Sequence, residues 1–124
     1  MADLEFSLPL PPDNGNRAAY MNTCRDRAWS AVGGLQPRSR RRWPTEDKVK
    51  VEVILYTDIE RENALKYVTP ATDAIGGVLW HPKKTLPLII VTQIIVGDKK
   101  DARLLVKVTR RKLVSEGAGK HYEW

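Results

Sequence analysis

The sequence predicts an α+β fold, a small mixed sheet of about four strands with two main helices. Three observations carry that expectation. Residues 48–56, Lys48-Val49-Lys50-Val51-Glu52-Val53-Ile54-Leu55-Tyr56, begin with a clean apolar/polar alternation, the period of a half-buried strand. Residues 16–32 and 62–75 instead repeat apolar side chains every three to four positions, as helices with one buried face do. Residues 88–96 are nearly continuous and β-branched, as expected for a central strand buried on both faces.

The remaining elements follow in chain order. Residues 4–10 alternate, and Pro9 places that opening strand at an edge or ends it early. Pro11-Pro12-Asp13-Asn14-Gly15-Asn16 forces a turn, in which Asn14-Gly15 readily adopts positive φ. Asn16 or Thr23 caps the first helix and Gly33-Gly34 stops it, with Met21, Cys24, Ala28 and Val32 as the buried stripe. Residues 36–44 hold two prolines and four arginines and read as an exposed basic loop. In the second helix Leu65, Val68, Thr72 and Ile75 share the buried face, Asn63, Lys66 and Asp73 lie roughly opposite, and Gly76-Gly77 ends it. Gly97-Asp98-Lys99-Lys100-Asp101 reads as a charged hairpin loop that returns residues 103–108 as a strand, and the tail from about 112 to 124 is expected to fray.

A length of 124 residues points to one domain, residues 1–124 with a core of about 4–108, small enough for a partner subunit to help stability. Twenty-one Lys and Arg against 15 Asp and Glu give a net charge of +6, which favours polyanionic partners. Cys24 is the single cysteine, so the chain forms no internal disulfide and completes no cysteine zinc site; a reducing, cytoplasmic setting fits. Cys24 itself reads as a packed thiol, because no His stands near it in sequence. The start, Met1-Ala2-Asp3-Leu4-Glu5, lacks the basic and apolar blocks of a secretion signal, and the longest apolar run, residues 86–96, is too short to cross a bilayer.

Chemistry concentrates after Tyr56. Asp58, Glu60 and Glu62 are spaced by two, so an extended continuation of the strand would point all three carboxylates to one side, where their repulsion is relieved by a cation. Hard oxygen ligands at a strand-to-helix junction suit Mg²⁺ or Mn²⁺. A solvated acidic turn with a Glu62/Lys66 helix pair shows the same spacing. In the basic run, Arg38, Arg40, Arg41 and Arg42 suit phosphate clamping, while Trp43 either stacks on an unpaired base or folds back on the core.

Three motifs then occur in order: Leu8-Pro9-Leu10-Pro11-Pro12-Asp13-Asn14 after the opening strand, Glu60-Arg61-Glu62-Asn63-Ala64-Leu65-Lys66, and Pro70-Ala71-Thr72-Asp73-Ala74-Ile75 followed by Gly77-Val78. This order resembles the RusA-type Holliday-junction resolvases, small metal-dependent endonucleases of phages and prophages, over residues 4 to about 108. Tyr67-Val68-Thr69 would be an insertion of three, close to one helical turn. The resemblance implies a RusA-like, intertwined homodimer in the bacterial host cytoplasm that cleaves four-way DNA junctions with Mg²⁺ or Mn²⁺. On that reading Glu60 and Glu62 hold the metal, Asp73 supports it, and Lys66 neutralises the scissile phosphate or orients a carboxylate. Asn14, Asn16, Arg17 and Asn63, with Arg38, Arg40, Arg41 and Arg42, would contact the DNA backbone.

Two departures stand against the family pattern. Glutamates occupy positions where the family has aspartates, and His81-Pro82-Lys83 stands where it has paired aspartates, which leaves His81, Asp58 or Asp73 to fill the third place. The alternative is a resolvase-like protein that binds DNA or a host protein without cutting; an RNA-binding module rests only on charge and Trp43.

Overall fold

The computed structural model describes residues 2–117 and 119–124. Its elements are β1 (Leu4–Leu8), α1 (Arg17–Gly33), α2 (Pro37–Arg40), β2 (Val49–Thr57), α3 (Ala64–Ile75), β3 (Leu88–Ile95), β4 (Arg103–Arg110), β5 (Lys112–Glu116) and β6 (Gly119–Glu123), with one 3-10 turn at Lys99–Asp101. The main sheet has the order β1-β4-β2-β3, and β5 and β6 form a separate hairpin. The fold is thus α+β, a mixed four-strand sheet with two main helices. None of its helices is long and apolar enough to cross a membrane among the described residues.

β2 sets the architecture. Val49, Val51, Val53, Leu55 and Thr57 are all buried, while Lys50, Glu52, Ile54 and Tyr56 on the other face are half-buried. Two helices cover the buried face. From α1 come Tyr20, Cys24, Ala28 and Val32 at a strict spacing of four, and from α3 come Val68, Ala71, Ala74 and Ile75. β4 runs antiparallel to β1 and β2 and adds Leu104, Val106 and Val108 to the same core. Each such side chain contributes about 1.5–3 kcal/mol when taken fully out of water.

β2 and β3 run parallel, which a short turn cannot connect, so α3 serves as the crossover. β1 ends at Leu8, directly before Pro9, and lies at one sheet edge, as its proline implies. Asp3 fixes that edge, accepting from the Arg110 N–H at 2.7 Å and from Lys112 Nζ at 3.1 Å. Burial works against its charge, but these donors and their positive charges hold the Asp3 carboxyl below its ordinary value.

Several expectations are corrected. β3 is an edge strand and not a central one: Leu88, Ile90, Thr92 and Ile94 are exposed, because β4 takes the central place between β1 and β2 and leaves β3 paired on one side alone. For the same reason residues 97–102 are no hairpin loop; they cross the end of β2 to reach β4. Leu65 is 53% exposed and the helix face is built from Val68, Ala71, Thr72, Ala74 and Ile75, and Tyr20 takes the buried place expected for Met21. The basic run contains a short helix, since Pro37 at a helix start loses no hydrogen bond, and Trp43 is buried in the core and not available to stack on a base. The tail forms the β5-β6 hairpin, with Gly117 at φ +58° beside its turn. Neither Asn14 nor Gly15 has positive φ; a side chain at Gly15 would instead meet the Pro12 Cβ at 3.1 Å.

Leu55→Ala is expected to destabilise the fold by about 2–5 kcal/mol, because it empties a fully enclosed site. Leu65→Ala should change stability by no more than about 0.5 kcal/mol. Urea unfolding followed by circular dichroism measures both.

Candidate functional site

The strand β2 ends in a side-chain turn. Thr57 Oγ1 accepts from the Ile59 N–H at 3.2 Å and donates to the Ile59 carbonyl at 2.8 Å. The chain bends after Thr57, so Asp58, Glu60 and Glu62 do not continue as an extended, one-sided row. The helix begins at Ala64 and not at Glu62, with the Asn63 carboxamide oxygen accepting from the Lys66 N–H at 3.0 Å as its cap. Glu60 and Glu62 are exposed just ahead of that helix N-terminus, where negative charge is favoured, and neither forms an ion pair among the described residues.

Between the two glutamates, Arg61 locks the junction to the rest of the molecule. Its backbone N–H donates to Gln93 Oε1 at 2.6 Å, and its carbonyl accepts from Gln93 Nε2 at 3.1 Å, tying the turn to β3. Its guanidinium lies 4.2 Å from the centroid of the Tyr67 ring and donates to Asp13 Oδ1 at 2.9 Å. The hydrogen bond to Asp13 raises the Arg61 pKa further, so the clamp carries its charge at every physiological pH.

Asp13 belongs to the proline loop that follows β1, and two tyrosines hold that loop as well. Tyr20 OH donates to the Pro9 carbonyl at 2.7 Å and Tyr67 OH to the Pro11 carbonyl at 3.1 Å. Burial pushes both phenols up, which keeps them protonated as donors. The fixed loop forms the common wall of three adjoining clefts, all lined by Pro11, Pro12 and Asp13. The first, of about 340 Å³, adds Asp58, Ile59, Arg61, Tyr67 and Lys99; the second adds Asn63, Lys66 and Pro70; the third adds Gly15, Arg17 and Tyr20. These clefts of one groove share Asp13, and each adds at least one cation: Arg61 and Lys99 beside Asp58 in the first, Lys66 in the second and Arg17 in the third.

Of the residues expected to act together, the structure gathers Asp58, Asn63, Lys66 and Arg17 around this groove, with Glu60 and Glu62 adjoining its lining. Asp73 stands nine positions into α3, about 14 Å along the helix from its start, and pairs with Arg17 at 3.5 Å. His81 lies at the opposite end of β2, since the preceding Trp80 bridges to Thr45, ahead of that strand. Arg38, Arg40, Arg41 and Arg42 are exposed at that same far end, roughly 25 Å from the glutamates along β2. Asn16 caps α1 through the Ala19 N–H at 3.1 Å, and Asn14 is exposed in the loop. Among the described residues no three His, Cys, Asp or Glu side chains gather as a metal site.

Sequence reasoning missed the clamp. Arg61 read only as a spacer between two acids, and Tyr20, Tyr67 and Gln93 carried no local signal, because each acts on a segment distant in the chain. Their partners lie 11 to 56 residues away. No family model, curated protein or solved structure matches this chain.

Arg61→Ala removes an ion pair and a stacked contact at once and should cost about 1–3 kcal/mol. Amide exchange in residues 10–15 should accelerate more than in β2, and hydrogen-exchange mass spectrometry reads the difference.

Proposed function

We propose that this protein binds branched DNA and, with Mg²⁺ or Mn²⁺, hydrolyses phosphodiester bonds near the branch. The observation that supports this reading best is the pair of exposed glutamates, Glu60 and Glu62, beside a groove that also presents Lys66, Asn63 and Arg17, in a chain of net charge +6. Mg²⁺ is commonly held by one or two carboxylates, waters and substrate phosphate, so two open carboxylates without a third protein ligand suit it chemically. Glu60 and Glu62 would hold the ion, with Asp58 the nearest further carboxylate in sequence. When bound, the metal supplies an activated water and offsets charge on the phosphate.

The chain's own groups supply positioning. Lys66, in the first turn of α3 and exposed, can meet a phosphate entering the groove. Arg17 can exchange its exposed Asp73 partner for a phosphate, because a surface ion pair contributes about 1 kcal/mol or less. Arg38, Arg40, Arg41 and Arg42, at the far end of β2, would contact backbone further along the DNA, a sequence-independent grip.

A second reading, DNA binding or host-protein binding without cleavage, is favoured by one observation: Asp73 is engaged with Arg17 and stands far from the two glutamates. A single assay separates the readings. A synthetic four-way junction and a linear duplex are incubated with the protein, with and without Mg²⁺ or Mn²⁺. Metal-dependent cutting of the junction that is lost in Glu62→Gln, with junction affinity kept or raised, is the expected result. Junction binding with no cutting in either metal selects the second reading.

The arginine run is tested apart from the carboxylates. Replacing Arg40, Arg41 and Arg42 together by Ala should weaken binding to every DNA alike and lower the salt dependence of log K by about three. Fluorescence anisotropy across a salt series measures both; an unchanged slope would make the run plain solvated surface.

A further inference from the structure

β3 leaves one side of its backbone without a partner, and α3 makes that side one wall of a trough. The Val96 N–H bonds the Thr57 carbonyl at 2.9 Å, so by strand alternation the even-numbered residues turn their backbone groups toward β2. Ile89, Val91, Gln93 and Ile95 therefore direct N–H and C=O groups outward, and no strand pairs with them among the described residues. Charge usually blunts such an edge, yet residues 86–96 contain no charged side chain.

The other wall is α3. As the crossover between parallel strands it runs back along β3, so its last turn stands beside the start of that strand and its first turn beside the end. Leu65, Thr69, Thr72 and Gly76 fall on one face of the helix by their three- and four-residue steps. Thr72 and Gly76 line a cleft of about 330 Å³ together with Trp80, Pro87 and Ile89, so that face is turned to the open edge. Exposed apolar side chains mark both ends of the trough: Leu65 and Ile95 at one, the latter 56% exposed, and Leu86, 90% exposed, at the other. A strand lying in the trough covers these groups, whereas Leu88, Ile90 and Ile94 stand on the far face of the sheet and take no part.

Charge sets the direction of a guest strand. Asp58, Glu60 and Glu62 stand at the end of β3, because the backbone of Arg61 among them bonds Gln93. His81, Lys83 and Lys84 precede the start of β3, and Pro82 among them lines the cleft. We propose that this trough takes up an extended peptide segment of another protein as an added strand antiparallel to β3, with basic residues before the segment and acidic residues after it. Antiparallel placement carries the basic end to the carboxylates and the acidic end to the lysines. Guest residues opposite Ile89, Val91, Gln93 and Ile95 exchange both backbone bonds and, sharing the face of their opposite numbers, point into the trough. The one opposite Ile89 enters the cleft and is apolar; the one opposite Gln93 is small, because the Gln93 carboxamide is already held on that face by Arg61. The main-chain bonds supply affinity and the inward side chains supply selection.

The test is a labelled synthetic peptide, Lys-Lys-Val-Thr-Ser-Thr-Val-Thr-Leu-Glu-Glu, whose Val, Ser, Val and Leu fall opposite Ile95, Gln93, Val91 and Ile89. Fluorescence anisotropy, measured with the full chain and without divalent metal, should give a dissociation constant in the micromolar range. N-methylation of the second Val removes the donor to the Val91 carbonyl and should weaken binding about tenfold; N-methylation of the Thr before it, whose N–H points away, should change it by less than about threefold. Exchanging the Lys and Glu pairs should also weaken it about tenfold. Ile95→Lys, at an exposed position, should keep the circular dichroism spectrum and lose affinity to a similar degree. On the protein, amide exchange at Val91 and Gln93 should slow when the peptide is added, while Ile90 and Thr92, already bonded to β2, should not change. No binding below millimolar peptide, an equal loss from the two N-methylations, or equal affinity for the charge-exchanged peptide would each overturn the proposal. So would a Val91 amide that becomes protected in the free chain as its concentration rises, since a second copy would then hold the edge. None of these readouts involves DNA or metal, so a failure here and a failure to cut junctions are distinguishable.

Discussion

The alternate burial of β2 is the constraint from which the rest of the structure follows. Five successive odd-numbered side chains, Val49 to Thr57, are enclosed, so that face must be covered, and the chain supplies two helices to cover it. The parallel pairing with β3 requires α3 as a crossover, and the crossover requires a turn between Thr57 and Ala64. That turn is where the carboxylates stand. Among the described residues nothing covers the even face to the same degree, so Ile54, Leu88, Ile90 and Ile94 remain partly in water. The candidate groove and the open apolar face thus have one origin, a sheet with helices on a single face.

The proline loop shows how an irregular segment is made rigid without secondary structure. Pro9, Pro11 and Pro12 offer no N–H groups, so the loop cannot be fixed by donating from those positions. Its carbonyls are held instead by the hydroxyls of Tyr20 and Tyr67, and its one acid by Arg61. Each holder comes from a different place, α1, α3 and the turn before α3, so the loop reports the packing of both helices. A groove walled by such a loop changes shape only if the helices move.

Elements with strong local periodicity were legible in the sequence. The alternation of residues 48–56, the Asn16 cap and the Gly33-Gly34 stop of α1, and the Gly76-Gly77 end of α3 all appear in the fold within a residue or two. At Gly77 the reason is visible, a φ of +91° that other residues rarely adopt. Strand order was not legible. A run such as residues 88–96 has the same composition whether a sheet buries both its faces or leaves it at an edge, so hydrophobicity alone placed it wrongly at the centre. The row Asp58, Glu60, Glu62 misled for a related reason: spacing of two has meaning only while the backbone stays extended, and Thr57 turns it. The Arg61 clamp left no trace in the sequence, because Asp13 and Gln93 lie 48 and 32 residues from it.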